Sequence, residues 1–124
     1  MKAKRFRPAL AAILLLAAAV TAGALDLEGT YAVRGTNPGS QGEYRGEVVI
    51  TGSGDTYRVV WSVGTAYVGT GVVLDDVLAV AYVDETQTAV GIVAYRIFKG
   101  GDRLEGIWCP LGSSILGTET MEKE

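Results

Sequence analysis

From Gly29 to Met121 the chain repeats one short phrase: an aromatic residue, then positions alternating between polar and apolar or glycine, then a turn. The clearest copies are Gly29-Thr30-Tyr31-Ala32-Val33, Tyr44-Arg45-Gly46-Glu47-Val48, Tyr57-Arg58-Val59-Val60-Trp61 and Leu104-Glu105-Gly106-Ile107-Trp108. A side-chain period of two is the signature of a strand buried on one face. Such runs about every ten residues, with turn residues between them, mark an all-β sandwich or barrel.

Eight runs follow one another, at about 29–35, 42–51, 56–63, 66–74, 77–83, 88–98, 103–109 and 114–121. The breaks carry turn chemistry, as in Asn37-Pro38-Gly39-Ser40, Gly52-Ser53-Gly54-Asp55 and Gly100-Gly101-Asp102. Breaks this short favour hairpins over crossovers. The expected fold is therefore a single eight-stranded antiparallel up-and-down barrel, with a β-sandwich as the alternative.

Phase assigns the faces. Glu43, Arg45 and Glu47 alternate with Tyr44, Gly46 and Val48, and Arg58 alternates with Tyr57, Val59 and Trp61. The charged set must face water, because an unpaired buried charge costs several kcal/mol. Tyr44, Tyr57, Val59, Trp61 and Trp108 are thus the expected core. Gly46, Gly69, Gly71, Gly91, Gly106 and Gly117 fall inside these runs. Glycine weakens a strand unless sharp curvature or a neighbouring ring needs the space.

The first 24 residues read differently. Lys2, Lys4, Arg5 and Arg7 precede an apolar run from Ala9 to Val20, and Ala22-Gly23-Ala24 gives a small-x-small cleavage pattern. That order is an export leader, so the expected organisation is a signal peptide over 1–24 and a barrel domain over 25–124, periplasmic or extracellular. Four of the 11 basic residues lie in the leader, so seven remain against 14 acidic ones, a net charge of −7. That balance argues against nucleic acid or an anionic membrane as partner, and no membrane insertion of the mature chain is expected.

Catalytic chemistry is sparse. The chain has no histidine and one cysteine, which removes the usual zinc ligands and every Ser-His or Cys-His pair. Cys109 reads as a small, partly buried apolar residue at a strand end. The adjacent acids Asp75-Asp76 and Asp84-Glu85 read as solvated turn residues. No cofactor, metal site or catalytic set is expected, and the chain is read as non-enzymatic.

Gly29 to Pro38, Tyr44-Arg45-Gly46, Gly54 to Trp61 and Leu116-Gly117-Thr118-Glu119 together resemble a mostly uncharacterised group of small exported bacterial proteins, sometimes labelled fibronectin-binding. The broader shape is similar to avidin and lipocalin barrels. The resemblance implies a barrel fold and export. Its motifs are structural, and no residue set matches a biotin or retinoid site.

The functional expectation is a binding or interaction protein of the bacterial cell envelope whose partner is an extracellular protein or a small ligand. The alternative is a carrier with its ligand inside the barrel. Six tyrosines, Tyr31, Tyr44, Tyr57, Tyr67, Tyr82 and Tyr95, are spread one per run over the first six. Such rings can line a cavity or fill a small barrel, and filling is the favoured reading. Glu119 faces inward if Gly117 does and outward if Leu116 and Thr118 are inside; the outward phase is favoured. Meander topology puts Thr36 to Gln41, Gly64-Thr65, Asp84 to Gln87 and Pro110 to Ser113 on one rim. Asn37, Pro38, Tyr67 and Glu119 are the candidate ligand or partner contacts.

Overall fold

The computed structural model of the chain describes residues 25–124, and the expected leader lies outside them. The strands are β1 (Gly29–Thr36), β2 (Glu43–Ser53), β3 (Thr56–Ser62), β4 (Ala66–Leu74), β5 (Val77–Asp84), β6 (Val90–Phe98), β7 (Arg103–Pro110) and β8 (Gly117–Lys123). They hydrogen-bond in chain order, each antiparallel to the next, and β8 pairs with β1 to close the barrel. The sandwich alternative is excluded by that closure. Two short 3-10 turns, Pro38–Ser40 and Lys99–Gly101, are the helical elements among the described residues.

Alternation sorts the side chains as the period requires. Val33, Val48, Ile50, Val59, Trp61, Leu78, Val80, Val93 and Leu104 are buried, whereas Glu43, Arg45, Glu47 and Arg58 are exposed. Each fully buried aliphatic side chain contributes about 1.5–3 kcal/mol relative to exposure. Tyr44, Tyr57 and Trp108, expected in the core, point inward but are half-buried. Cys109 is a free thiol, half-buried on the outer side of β7 opposite Ile92.

The inward glycines seat aromatic rings from adjacent strands. Gly35 lies opposite Tyr44, Gly91 opposite Tyr82, Gly106 opposite Tyr95 and Gly117 opposite Trp108. A methyl group at Gly106 would stand 2.6 Å from the Tyr95 ring, and one at Gly117 would stand 2.7 Å from the Trp108 indole. Glycine on one strand thus lets a ring on its neighbour lie flat across the barrel wall, the pairing known to rescue glycine in sheets.

Several expected boundaries shift by one to three residues, and the starts of β8 and β6 shift for a visible reason. The last strand starts at Gly117 rather than 114, and Ile115 and Leu116 are more than half exposed. The Ser113 side chain bonds the backbone N–H and carbonyl of Ile115, and the Leu116 carbonyl accepts from Gly39 N–H at 3.2 Å. Those backbone groups serve the turn instead of the ladder. Similarly, the Asp84 carboxylate accepts from the N–H groups of Thr88 and Ala89 at 2.9 and 3.0 Å, so β6 begins at Val90 rather than 88. Local side-chain bonds compete with the sheet in both places.

The two ends are built differently. Leu27, Tyr31, Ile50, Leu78, Leu104 and Met121, each 1% exposed or less, shut one end. There the Tyr31 hydroxyl shares its one proton between the carbonyls of Leu27 and Gly101, at 2.8 and 2.7 Å, while Asp26 N–H donates to the Gly100 carbonyl. The other end meets the loops after β1, β3, β5 and β7 and stays open.

Candidate functional site

The open end encloses a cavity of about 250 Å³. Its walls are Tyr44 from β2, Trp61 from β3, Tyr67 from β4, Tyr82 from β5, Val93 and Tyr95 from β6 and Trp108 from β7. Asn37, Val63 and Thr65 stand at the mouth, and Glu119 of β8 forms part of the lining. Tyr44, Trp61, Tyr67, Tyr82 and Trp108 each lie within two residues of the strand end that meets this rim. A second hollow, of about 480 Å³, lies against β5 to β8 and is bordered by outward side chains such as Arg96, Glu105, Ile107 and Thr118. It borders the outer face of the wall and lies outside the ring-lined interior.

Rings in the cavity wall meet edge to face. Tyr82 contacts Trp61 at 5.9 Å between centroids, Tyr67 at 5.6 Å and Trp108 at 6.3 Å, with planes inclined by 63°, 89° and 71°. Tyr44 extends the chain to Trp108 at 6.1 Å and 74°. These are favourable aromatic geometries, and they fix the walls relative to one another.

Glu119 overturns the outward phase favoured from sequence. It is 5% exposed, because Gly117 must face the Trp108 ring and the alternation then turns Glu119 inward. Its carboxylate accepts from the Tyr44 hydroxyl at 2.7 Å, from the Trp61 indole N–H at 3.0 Å and from the Tyr95 hydroxyl. Three converging donors satisfy most of a carboxylate's acceptor sites. Among the described residues no lysine or arginine pairs with it. Burial pushes the Glu119 carboxyl above its ordinary value, and the three hydrogen bonds pull it partly back. Burial first, and the neighbouring carboxylate second, hold the Tyr44 and Tyr95 hydroxyls well above the usual tyrosine range. Burial likewise raises Tyr82, to about 12.

Of the four candidate contacts, the structure brings together three. Asn37 and Tyr67 line the mouth and wall, and Glu119 lies deeper. Pro38 opens the neighbouring 3-10 turn and does not line the cavity. The Asn37 side chain donates to the Gln41 carbonyl at 3.1 Å and pins that loop beside the opening. The favoured reading of the tyrosines as filling holds for Tyr31 and for Tyr57, which packs half-buried against the core away from the cavity; Tyr44, Tyr67, Tyr82 and Tyr95 border a hollow. The paired acids are engaged elsewhere: Asp76 pairs with Arg96 at 3.1 Å, and Asp84 organises its own turn. No group of three or more Cys, Asp or Glu side chains converges as a metal site among the described residues. Neither the protein-family models nor the curated proteins include a match to this chain.

Proposed function

We propose that this chain is an exported, non-catalytic binding barrel that holds a small molecule in its open end, the ligand passing between Asn37 and Thr65. One observation carries the reading. The barrel is packed shut at one end and left hollow at the other, with rings and one carboxylate fixed around the space. A cavity of about 150 Å³ accepts benzene, so this one suits a ligand of roughly ten heavy atoms.

The test is a thermal-shift and native-mass panel of small neutral and charged molecules on the purified protein. A binder at one hundred times its Kd should add about 2.7 kcal/mol of stability. The panel is repeated on Val63→Trp, which fills the mouth. Expected are shifts in the parent protein and their loss in the variant. Shifts that persist unchanged in a folded Val63→Trp, or none across the panel, would overturn the reading.

The outer wall favours a second reading, a docking surface for a macromolecule. Val72, Ala79, Ala94 and Ile107 lie side by side across β4 to β7, with Leu74 and Ile92 nearby. Val72, Leu74, Ile92 and Ile107 are 50–75% exposed. Contiguous apolar surface of this kind marks interaction sites. Ile107→Lys should abolish capture of a macromolecular partner while leaving the cavity panel unchanged.

A further inference from the structure

We infer that the group recognised in the cavity is a compact organic cation, an ammonium on a short carbon skeleton seated between the Trp61, Tyr82 and Trp108 rings and Glu119. The inference rests on the small-ligand reading above and specifies its chemistry.

Charge is the first ground. Glu119 is the cavity's one carboxylate, and no lining residue carries positive charge. The indole N–H of Trp61 can only donate, so its 3.0 Å contact aims a donor at the carboxylate. Hydrogen bonds arrange and partly stabilise the buried charge, but they do not neutralise it. A buried carboxylate is costly until a proton or a counter-cation joins it. An anionic ligand would add a second negative charge beside it.

Ring geometry is the second ground. Tyr82 stands steeply inclined to Trp61, Tyr67 and Trp108. Rings set in this way wall off a space from several directions, and aromatic faces carry the negative end of the ring quadrupole. Cations are attracted to such faces, most strongly where water is excluded.

The closed end supplies an internal comparison. There the chain brings its own ammonium, Lys123 Nζ, to 5.6 Å from the Tyr31 ring centroid and bonds it to the Asp26 carbonyl at 2.8 Å. At the open end an analogous electron-rich surrounding has no ammonium from the described residues.

The experiment is titration calorimetry of the purified protein with two matched pairs. One is choline against its carbon analogue, in which a quaternary carbon replaces nitrogen. The other is butylammonium against butanol. Within at least one pair the cation should bind about ten-fold tighter or more than its neutral match. Glu119→Gln should remove most of that preference while sparing the neutral compound's affinity. Equal or tighter binding of both neutral compounds would overturn the cation inference and leave the cavity reading standing. Failure of both cations to bind would also overturn it, whereas the cavity reading is decided by the broader small-molecule panel on the parent and on Val63→Trp. Because the matched pairs are compared on the parent protein, the inference is tested even if Glu119→Gln does not fold.

Discussion

The two ends of this barrel use the same residue types for opposite purposes. At the closed end the Tyr31 hydroxyl meets two backbone carbonyls, Leu27 covers the ring layer, and Lys123 sits over the aromatic face. No buried side-chain nitrogen or oxygen among the described residues lacks a partner, and at this end apolar side chains fill the remaining space. At the open end the tyrosine hydroxyls of Tyr44 and Tyr95 meet a carboxylate instead, and the space beside them contains no protein atoms. A buried carboxylate without a counter-cation and an unfilled volume both lower stability. The closed half of the molecule must offset that cost. Sequence that folds an end this way when tighter packing is available next door points to a role for the space itself.

The largest effect should come from emptying the closed end. Tyr31→Ala removes a fully buried ring and should cost about 3–5 kcal/mol in denaturant unfolding. Below its lowered melting temperature the variant should still give the parent's response in the cavity panel. Trp61→Ala should cost about as much, but should also change that response, since Trp61 forms both core and cavity wall. Loss of the response in folded Tyr31→Ala would show that the ends are coupled and the division false.

Much of this division was legible in the chain. Period-two alternation placed all eight strands, and short breaks placed the rims. The spacing of Tyr44, Trp61, Tyr67, Tyr82 and Trp108 from one rim also lay in the sequence once the topology was drawn. Alternation alone does not mark these rings as a cavity wall, because a half-buried ring and a buried one share the same phase. Cross-strand glycine was the missing signal: Gly35, Gly91 and Gly117 show which rings are laid across the wall. The phase of Glu119 is ambiguous in the sequence for a different reason. Ile115 and Leu116 are two adjacent apolar residues, and extending the strand over them left its phase ambiguous. Their backbone groups are taken by Ser113 and Gly39, long-range and turn contacts that alternation does not encode.

A sharper comparison deletes single hydroxyls. Tyr31→Phe strips a buried donor from two carbonyls and should cost about 1–3 kcal/mol. Tyr44→Phe leaves Glu119 with two donors beside a cavity that water can enter, so about 0.5–1.5 kcal/mol is expected. The order of the two costs is the test, read by chemical denaturation at one pH. A larger loss in Tyr44→Phe would mean that the open end, rather than the closed one, anchors the fold.

The charge at the open end should show as a slope against pH. Glu119 is held above its ordinary value of 4.5, so between 4.5 and its folded value the native state binds more protons than the unfolded state. Its contribution is fully present below 4.5 and is lost as pH rises to the folded value. The other titratable groups facing it, Tyr44, Tyr82 and Tyr95, are all raised and stay neutral through that window. Its neighbours across β1 and β7 are Gly35 and Gly106. Unfolding free energy of the parent minus that of Glu119→Gln should therefore fall as pH rises from 4.5. A difference that rises with pH would mean that the three donors outweigh burial.

Arg58→Ala should do least. Arg58 is exposed on β3, directly preceding buried Val59 and three residues from Trp61. Its cross-strand neighbours are Thr51 and Thr70 on the outer surface, and no ion pair involves it among the described residues. Surface changes of this kind usually stay within about 0.5 kcal/mol. Neither the closed-end packing nor the cavity response should change, although the substitution sits on the strand that links them. The comparison of the ends depends on this null result. It assumes that stability and binding are both decided on the inner face, so an Arg58→Ala cost near that of Trp61→Ala would assign the strand the opposite phase.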